Sequence, residues 1–392
     1  MINETAYRLG TQRSCIRELF EYGRTRAAVV GAENVFDYSL GNPSIPAPEA
    51  VNDAIREVLA ELDSLQIHGY TSAVGDLNTR KAIAEDINRR YGADITPGEL
   101  FLGCGAAPEL AAVFRALAVP GAKILALAPY FPEYKPFVEC AGAEFQVVPA
   151  DIPDFQIPMD ALEACLTENT AAIILNSPNN PAGTVYTRQT LENLAVLLKK
   201  KSAAFGHPIY IVSDEPYREL VYGGVEVPFL PAIYRDTVVC YSYSKALSLP
   251  GERIGYVYVP RQATDGDKLY AAIAGAARSM GHVCAPSLWQ QVIARCTQLR
   301  PDLAAYDKNR RALWEGLTAM GYEIARPDGA FYLFIKAPGG DAKAFSEKAK
   351  QLDLLVVPGD DFGCPEYFRI CYCVSYEQIT RSLPLFQKLI NE

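Results

Sequence analysis

Residues 172–183 (AIILNSPNNPAG), 209–217 (IYIVSDEPY) and 238–245 (VVCYSYSK) decide the fold, because all three have one form. In each, a short apolar run passes directly into polar residues. Ala172 to Leu175 enters Asn176-Ser177-Pro178-Asn179-Asn180, Ile209 to Val212 enters Ser213-Asp214-Glu215, and Val238 to Tyr241 enters Ser242-Tyr243-Ser244-Lys245. A short apolar run bounded by turn residues reads as a strand buried on both faces. Further runs of this kind lie at Phe101 to Cys104, Ile124 to Leu127, Phe145 to Val148 and Gly255 to Val259. Helical patterns separate many of them, for example Glu109 to Ala118 and Leu191 to Lys201. This alternation predicts an α/β domain with a mostly parallel sheet between helices.

Outside that block, Pro48 to Ser64 reads as an amphipathic helix with Val51, Ile55, Val58, Leu59 and Leu62 on one face. After Pro286 the pattern changes. A long helical stretch runs through Arg311 and Leu313, strand-like runs follow at Ala330 to Ile335, Leu354 to Val357 and Phe368 to Cys373, and a last helix lies near Tyr376 to Ile390. We expect a large domain over 48–286 and a smaller α+β domain formed by both chain ends, 1–47 and 287–392.

Composition excludes several classes. The 392 residues carry a net charge of −9, which repels phosphate backbones and argues against nucleic-acid binding. The most apolar stretch, Phe101 to Pro129, is interrupted by Glu109, Arg115 and Lys123, so no membrane span is expected. Met1 to Cys15 is polar and lacks a signal-peptide core. The ten cysteines form no C-x-x-C pair, which points to reduced thiols and a cytoplasmic location. The three histidines are far apart and show no zinc spacing, so no metal site is expected.

In open α/β sheets, ligands bind outside the carboxyl ends of the strands. An amide (Asn180), a carboxylate (Asp214) and an amine (Lys245) are therefore expected at one sheet edge, with Arg253 eight residues past the lysine. These groups suit an anionic, aromatic, aldehyde-bearing cofactor.

The same clusters resemble the fold-type I pyridoxal 5′-phosphate (PLP) enzymes, in particular the class I/II aminotransferases. NNPAG (179–183) is similar to the family's N-P-x-G, and DEPY (214–217) to its D-x-x-Y. SYSKALSLPGERIGY (242–256) resembles S-x-x-K followed by G-x-R-x-G, and YFRI (367–370) resembles the arginine motif near the C-terminus. The matching features run from Gly41 to Arg369.

The resemblance implies a role for each position. Lys245 forms a Schiff base with PLP and, once freed, serves as general base and acid. Asp214 partners the pyridinium nitrogen, while Tyr217 and Asn180 bond the ring 3′-oxygen. The phosphate meets the N–H groups of Ala106 and Ala107, where GCGAAPE (103–109) opens a helix. Ser242 and Arg253 complete that cup, and Tyr70, in HGYTSAVG, reaches it from a partner subunit. Phe131 stacks on the pyridine where the family often carries Trp. Arg369 grips the substrate α-carboxylate in two parallel bonds, near Gly41 and Asn180. Each position also has a plainer reading. Lys245 alone would be a solvated lysine, Asp214 a helix cap and Asn180 a turn residue. Phe131 and Tyr70 could be core, Gly41 a turn glycine, and Arg369 one half of a surface ion pair.

The expected activity is a ping-pong transfer from an L-amino acid, aspartate first, to a 2-oxo acid such as 2-oxoglutarate, in a homodimer with a shared site. A distal substrate carboxylate would need a cation, for which Arg278, Arg13 and Arg17 are the candidates. A C–S lyase, a racemase-like enzyme or an aminocyclopropane carboxylate synthase would keep the same motifs. A regulator with an aminotransferase-like domain would need a DNA-binding segment ahead of Gly41, for which those residues leave no room.

Overall fold

The computed structural model describes residues 1–11 and 14–391. Its centre is a seven-stranded sheet in the spatial order Leu100–Gly103, Gly255–Tyr258, Thr237–Ser242, Tyr210–Asp214, Thr170–Asn176, Lys123–Leu127 and Glu144–Val148. Gly255–Tyr258 is antiparallel to both its neighbours, and the remaining pairs are parallel. Tyr210–Asp214 and Thr237–Ser242 are buried along their whole length, and Thr170–Asn176 at every position but Ala171. Near-continuous apolar runs are what a sheet covered on both faces requires.

Successive residues point to opposite faces. Ile124, Ala172, Ile174, Val212 and Val238 pack with helices Ala106–Leu117 and Gly266–Ser279. Leu125, Leu127, Ile173, Leu175 and Ile211 pack with helix Arg188–Phe205.

The helix expected from Pro48 forms over Glu49–Glu61 and buries Val51, Ala54 and Val58. Leu59, expected on that face, is exposed. Asp63 then caps a separate short helix, Ser64–His68, accepting from the backbone N–H groups of Leu65 and Gln66.

The second body holds a three-stranded antiparallel sheet in the order Val357–Pro358, Tyr367–Cys371, Tyr332–Lys336. Helices Leu303–Ala319, Ala342–Lys350 and Tyr376–Ile390 enclose its core, which includes Leu313, Phe345, Phe368 and Phe386. Two expectations need correction. The run Leu354 to Val357 is not one strand: Leu354–Leu355 pairs with Phe36–Asp37, while Val357–Pro358 pairs with Phe368 and Arg369. The change of body also falls later than Pro286. Helix Ser287–Cys296 buries Val292, Ile293 and Cys296 against the group containing Val51, Val58, Ile83 and Ile87, so it packs with the large body. From Leu303 onward the chain contributes to the smaller core, which Phe36, Tyr38, Tyr217, Leu220 and Tyr222 also enter.

Ile293→Ala should therefore lower stability by about 2–4 kcal/mol, because it opens a cavity between three helices of the large body. Urea unfolding followed by circular dichroism measures this.

Candidate active site

Three adjacent parallel strands end at Asn176, Asp214 and Ser242, with Asn176 opposite Asp214 and Asp214 opposite Cys240. Asn176 ties these ends together. Its Nδ2 donates to the Asp214 carbonyl at 2.8 Å, and its Oδ1 accepts from the Asn180 N–H at 2.7 Å. The turn that carries Asn180 is thus anchored to the strand that carries Asp214.

Asp214 is 5% exposed. Tyr134 donates to its Oδ2 at 2.5 Å, and its Oδ1 has no partner. Burial raises its pKa to about 7, against the opposing effect of the Tyr134 bond. After the neighbouring strand, Ser242 caps the short helix Tyr243–Ala246, its Oγ accepting from the Ser244 N–H at 3.1 Å. This helix carries Lys245, whose Nζ donates to the Gly41 carbonyl at 2.7 Å. Burial lowers the Lys245 pKa to about 8, which raises the share of the nucleophilic free amine.

Arg369 enters from the smaller body and is 2% exposed. Its Nη1 donates to Asn180 Oδ1 at 2.9 Å and its Nη2 to the Ser39 carbonyl at 2.5 Å. Its Nε has no partner, and its guanidinium lies 4.6 Å from the Tyr332 ring centre and 5.1 Å from that of Phe362. Among the described residues no carboxylate stands within ion-pair distance. A buried guanidinium held only by neutral groups is costly, so the position favours an incoming carboxylate.

At the other end of the cavity, Gly105 (φ 94°) opens helix Ala106–Leu117. A Cβ at Gly105 would stand 2.8 Å from Arg253 Nη2, so only glycine lets the turn and the arginine approach this closely. Arg253 has φ 52° and donates to the Pro250 carbonyl at 3.0 Å. A helix start beside a cation suits an anion.

These groups line one cavity of about 340 Å³. Gly41, Ala106, Ala107, Phe131, Asn180, Asp214, Tyr217, Ser242, Lys245, Arg253 and Arg369 all border it. Tyr70 does not: it is 93% exposed and absent from this chain's own cavity wall. Arg278 and Arg17 are likewise exposed and outside the lining, and Arg13 lies outside the described residues.

Sequence reasoning missed Tyr134, Tyr332, Asn176 and Ile16. Asn176 was visible at a strand end. Tyr134 follows Phe131 by one helical turn, a usable signal. Tyr332 sits in an apolar run that marks it only as core, and Ile16, between Cys15 and Arg17, carries no mark of a site. Glu109 is also buried, with both carboxyl oxygens unpartnered, in space left by Gly103 and Gly255. Burial raises its pKa well above the usual range.

An amine of lowered basicity, a buried carboxyl with a free oxygen, and a cation beside a helix start are what an aldehyde, a pyridine nitrogen and a phosphate require. Fold and site together define a fold-type I PLP enzyme. The chain belongs to the aminotransferase class I and II family, whose model matches residues 32–383, and so it is a PLP-dependent aminotransferase.

Its full length superposes on an aminotransferase from Eubacterium rectale with TM-score 0.98 and 54% identity, covering 100% of this chain and 98% of that one. The aspartate aminotransferase of Thermus thermophilus with maleate gives TM-score 0.86 at 27% identity, covering 99% of both chains. In sequence, the chain is 29% identical to the aspartate aminotransferase of Thermotoga maritima, over 94% of each chain. It is 30% identical to the aspartate/prephenate aminotransferase of Thermus thermophilus, over 90% of each. Among the described residues, no helix is long and apolar enough to cross a membrane, and no group of three or more His, Cys, Asp or Glu could hold a metal.

The raised Asp214 pKa makes stability depend on pH. In the cofactor-free protein the folded state holds this proton up to about pH 7, while the unfolded chain releases it near 3.8. The contribution is therefore fully present below 3.8 and is lost as pH rises through about 7. Asp214→Asn, which can still accept from Tyr134, should stabilise the cofactor-free protein at pH 8 by about 1–3 kcal/mol and have little effect at pH 4. Urea midpoints at the two pH values test this.

Proposed function

We propose that this chain moves the amino group of an L-amino acid to a 2-oxo acid such as 2-oxoglutarate, in two half-reactions at one site. The observation that carries this reading is the buried Arg369, without a carboxylate partner, in the same cavity as Lys245 and Asp214. Bound PLP supplies the aldehyde that takes up the amino group and the ring that accepts electron density from Cα.

The remaining roles belong to the protein. Lys245 holds the cofactor covalently and, when displaced, moves a proton off the substrate Cα; its lowered pKa suits a base working near neutrality. The free Oδ1 of Asp214 is available to a protonated ring nitrogen, and a cation there favours the carboxylate form. Tyr217 and Asn180 adjust the ring oxygen, and Phe131 offers a face to the ring. Arg253, Ser242 and the helix start at Ala106 and Ala107 hold the phosphate. Arg369 orients the α-carboxylate with its planar fork, beside Gly41.

Aspartate is the first donor to test, on the strength of the relatives named for it. We infer a cytoplasmic homodimer, and the exposure of Tyr70 leaves this tyrosine available to the phosphate of a second copy. Arg278 could read a distal carboxylate only from such a second copy.

Borohydride reduction of the PLP-loaded protein, followed by peptide mapping, should find the adduct on Lys245. Lys245→Ala should reduce transfer by about 10³-fold. Arg369→Lys should raise KM for the amino acid by about 10–100-fold while the cofactor stays bound, because lysine cannot make the paired bonds. An adduct on another lysine, or release of ammonia with no 2-oxo acid required, would reject amino transfer.

A further inference from the structure

The cavity contains a phenol that the chemistry above leaves unused. Tyr332 stands at the start of strand Tyr332–Lys336 in the smaller body, buried, with its hydroxyl 2.9 Å from that of Tyr217. Its ring lies under the Arg369 guanidinium at 4.6 Å. Its hydroxyl end also fills the space above Gly41, where any Cβ would collide with it.

We propose that Tyr332 is a positioning residue: it donates its hydroxyl proton to Tyr217, so that the Tyr217 proton is directed to the cofactor's ring oxygen. This inference rests on the reading of Tyr217 as the partner of that oxygen.

Burial pushes both phenols up, so each keeps its single proton. Among the described residues neither has another side-chain hydrogen-bond partner. The shared bond therefore has two possible senses. If Tyr217 donates to Tyr332, Tyr217 turns only lone pairs toward the cavity and would repel an anionic oxygen. If Tyr332 donates, the Tyr217 proton is free, and accepting a bond polarises its O–H and strengthens its donation. An anionic ring oxygen selects the second sense.

The charged and titratable groups facing the pair neither donate to nor accept from either phenol. Arg369 comes from the middle of strand Tyr367–Cys371, Cys371 from its end, Cys373 from just beyond it, and Asp214 from the end of its own strand. Arg369 favours loss of a phenol proton, and the other three oppose it. The same tyrosine thus touches the carboxylate-binding arginine with its ring face and the cofactor side with its hydroxyl.

The test is a pH titration of the visible absorption band of the PLP-loaded protein, alongside substrate kinetics. Donation from Tyr217 stabilises the anionic oxygen, so weakening it should raise the midpoint. Tyr332→Phe should move the midpoint upward by about half a unit. KM for the amino acid should change by less than about twofold, because the ring under Arg369 remains. Tyr217→Phe should shift the midpoint in the same direction, and adding Tyr332→Phe to it should add nothing. Tyr332→Leu, which also removes the ring, should raise KM as well.

A midpoint in Tyr332→Phe equal to that of the parent, or shifts that sum in the double variant, would overturn the inference while leaving the proposed function intact. A parent protein that shows no titrating band would refute the functional reading and this inference together.

Discussion

Everything in the cavity is organised around two buried ionisable groups that come from different bodies and are not paired with each other. Asp214 ends a strand of the seven-stranded sheet, and Arg369 lies on the three-stranded sheet. Both are buried, so each, when ionised, would gain from an opposite charge. The protein instead meets Arg369 with a carbonyl, an amide oxygen and two ring faces, and it meets one Asp214 oxygen with a phenol. A zwitterionic amino acid on a cationic ring offers the charges that both positions lack.

The seam between the two bodies is also the cavity wall. The polar contacts that cross it include Asn180 with Arg369, Tyr217 with Tyr332, and Lys245 with the Gly41 carbonyl. Each uses a group that the proposed chemistry assigns to a ligand. Incoming carboxylate and cofactor would therefore meet groups already engaged across the seam. Segment 36–41 belongs to this seam as well. Phe36 and Asp37 pair with Leu354 and Leu355, and the Tyr38 carbonyl accepts from Cys371, which brings Gly41 to Lys245.

The strands of the large sheet were legible because burial on both faces demands unbroken apolar runs, and their polar ends mark the ligand edge. Lys245, Asp214 and Asn180 were singled out for that reason, and the structure brings them to one cavity wall. Elsewhere the local pattern was ambiguous. Leu354 to Val357 reads as one strand, yet its halves serve different partners. Helix Ser287–Cys296 has an apolar face that would suit either body, and only packing against Val51 and Ile83 decides between them.

By itself, then, the amino-acid order determined which side chains stand at strand ends, since periodicity and turn residues are local properties. The tertiary structure alone decided which distant side chains meet. Tyr134 under Asp214, Tyr332 beside Tyr217 and the carbonyl of Ser39 at Arg369 are contacts between residues 80, 115 and 330 positions apart. In a chain with 23 tyrosines, a buried phenol of the core and one aimed at a catalytic neighbour look alike until the packing brings its partner into reach.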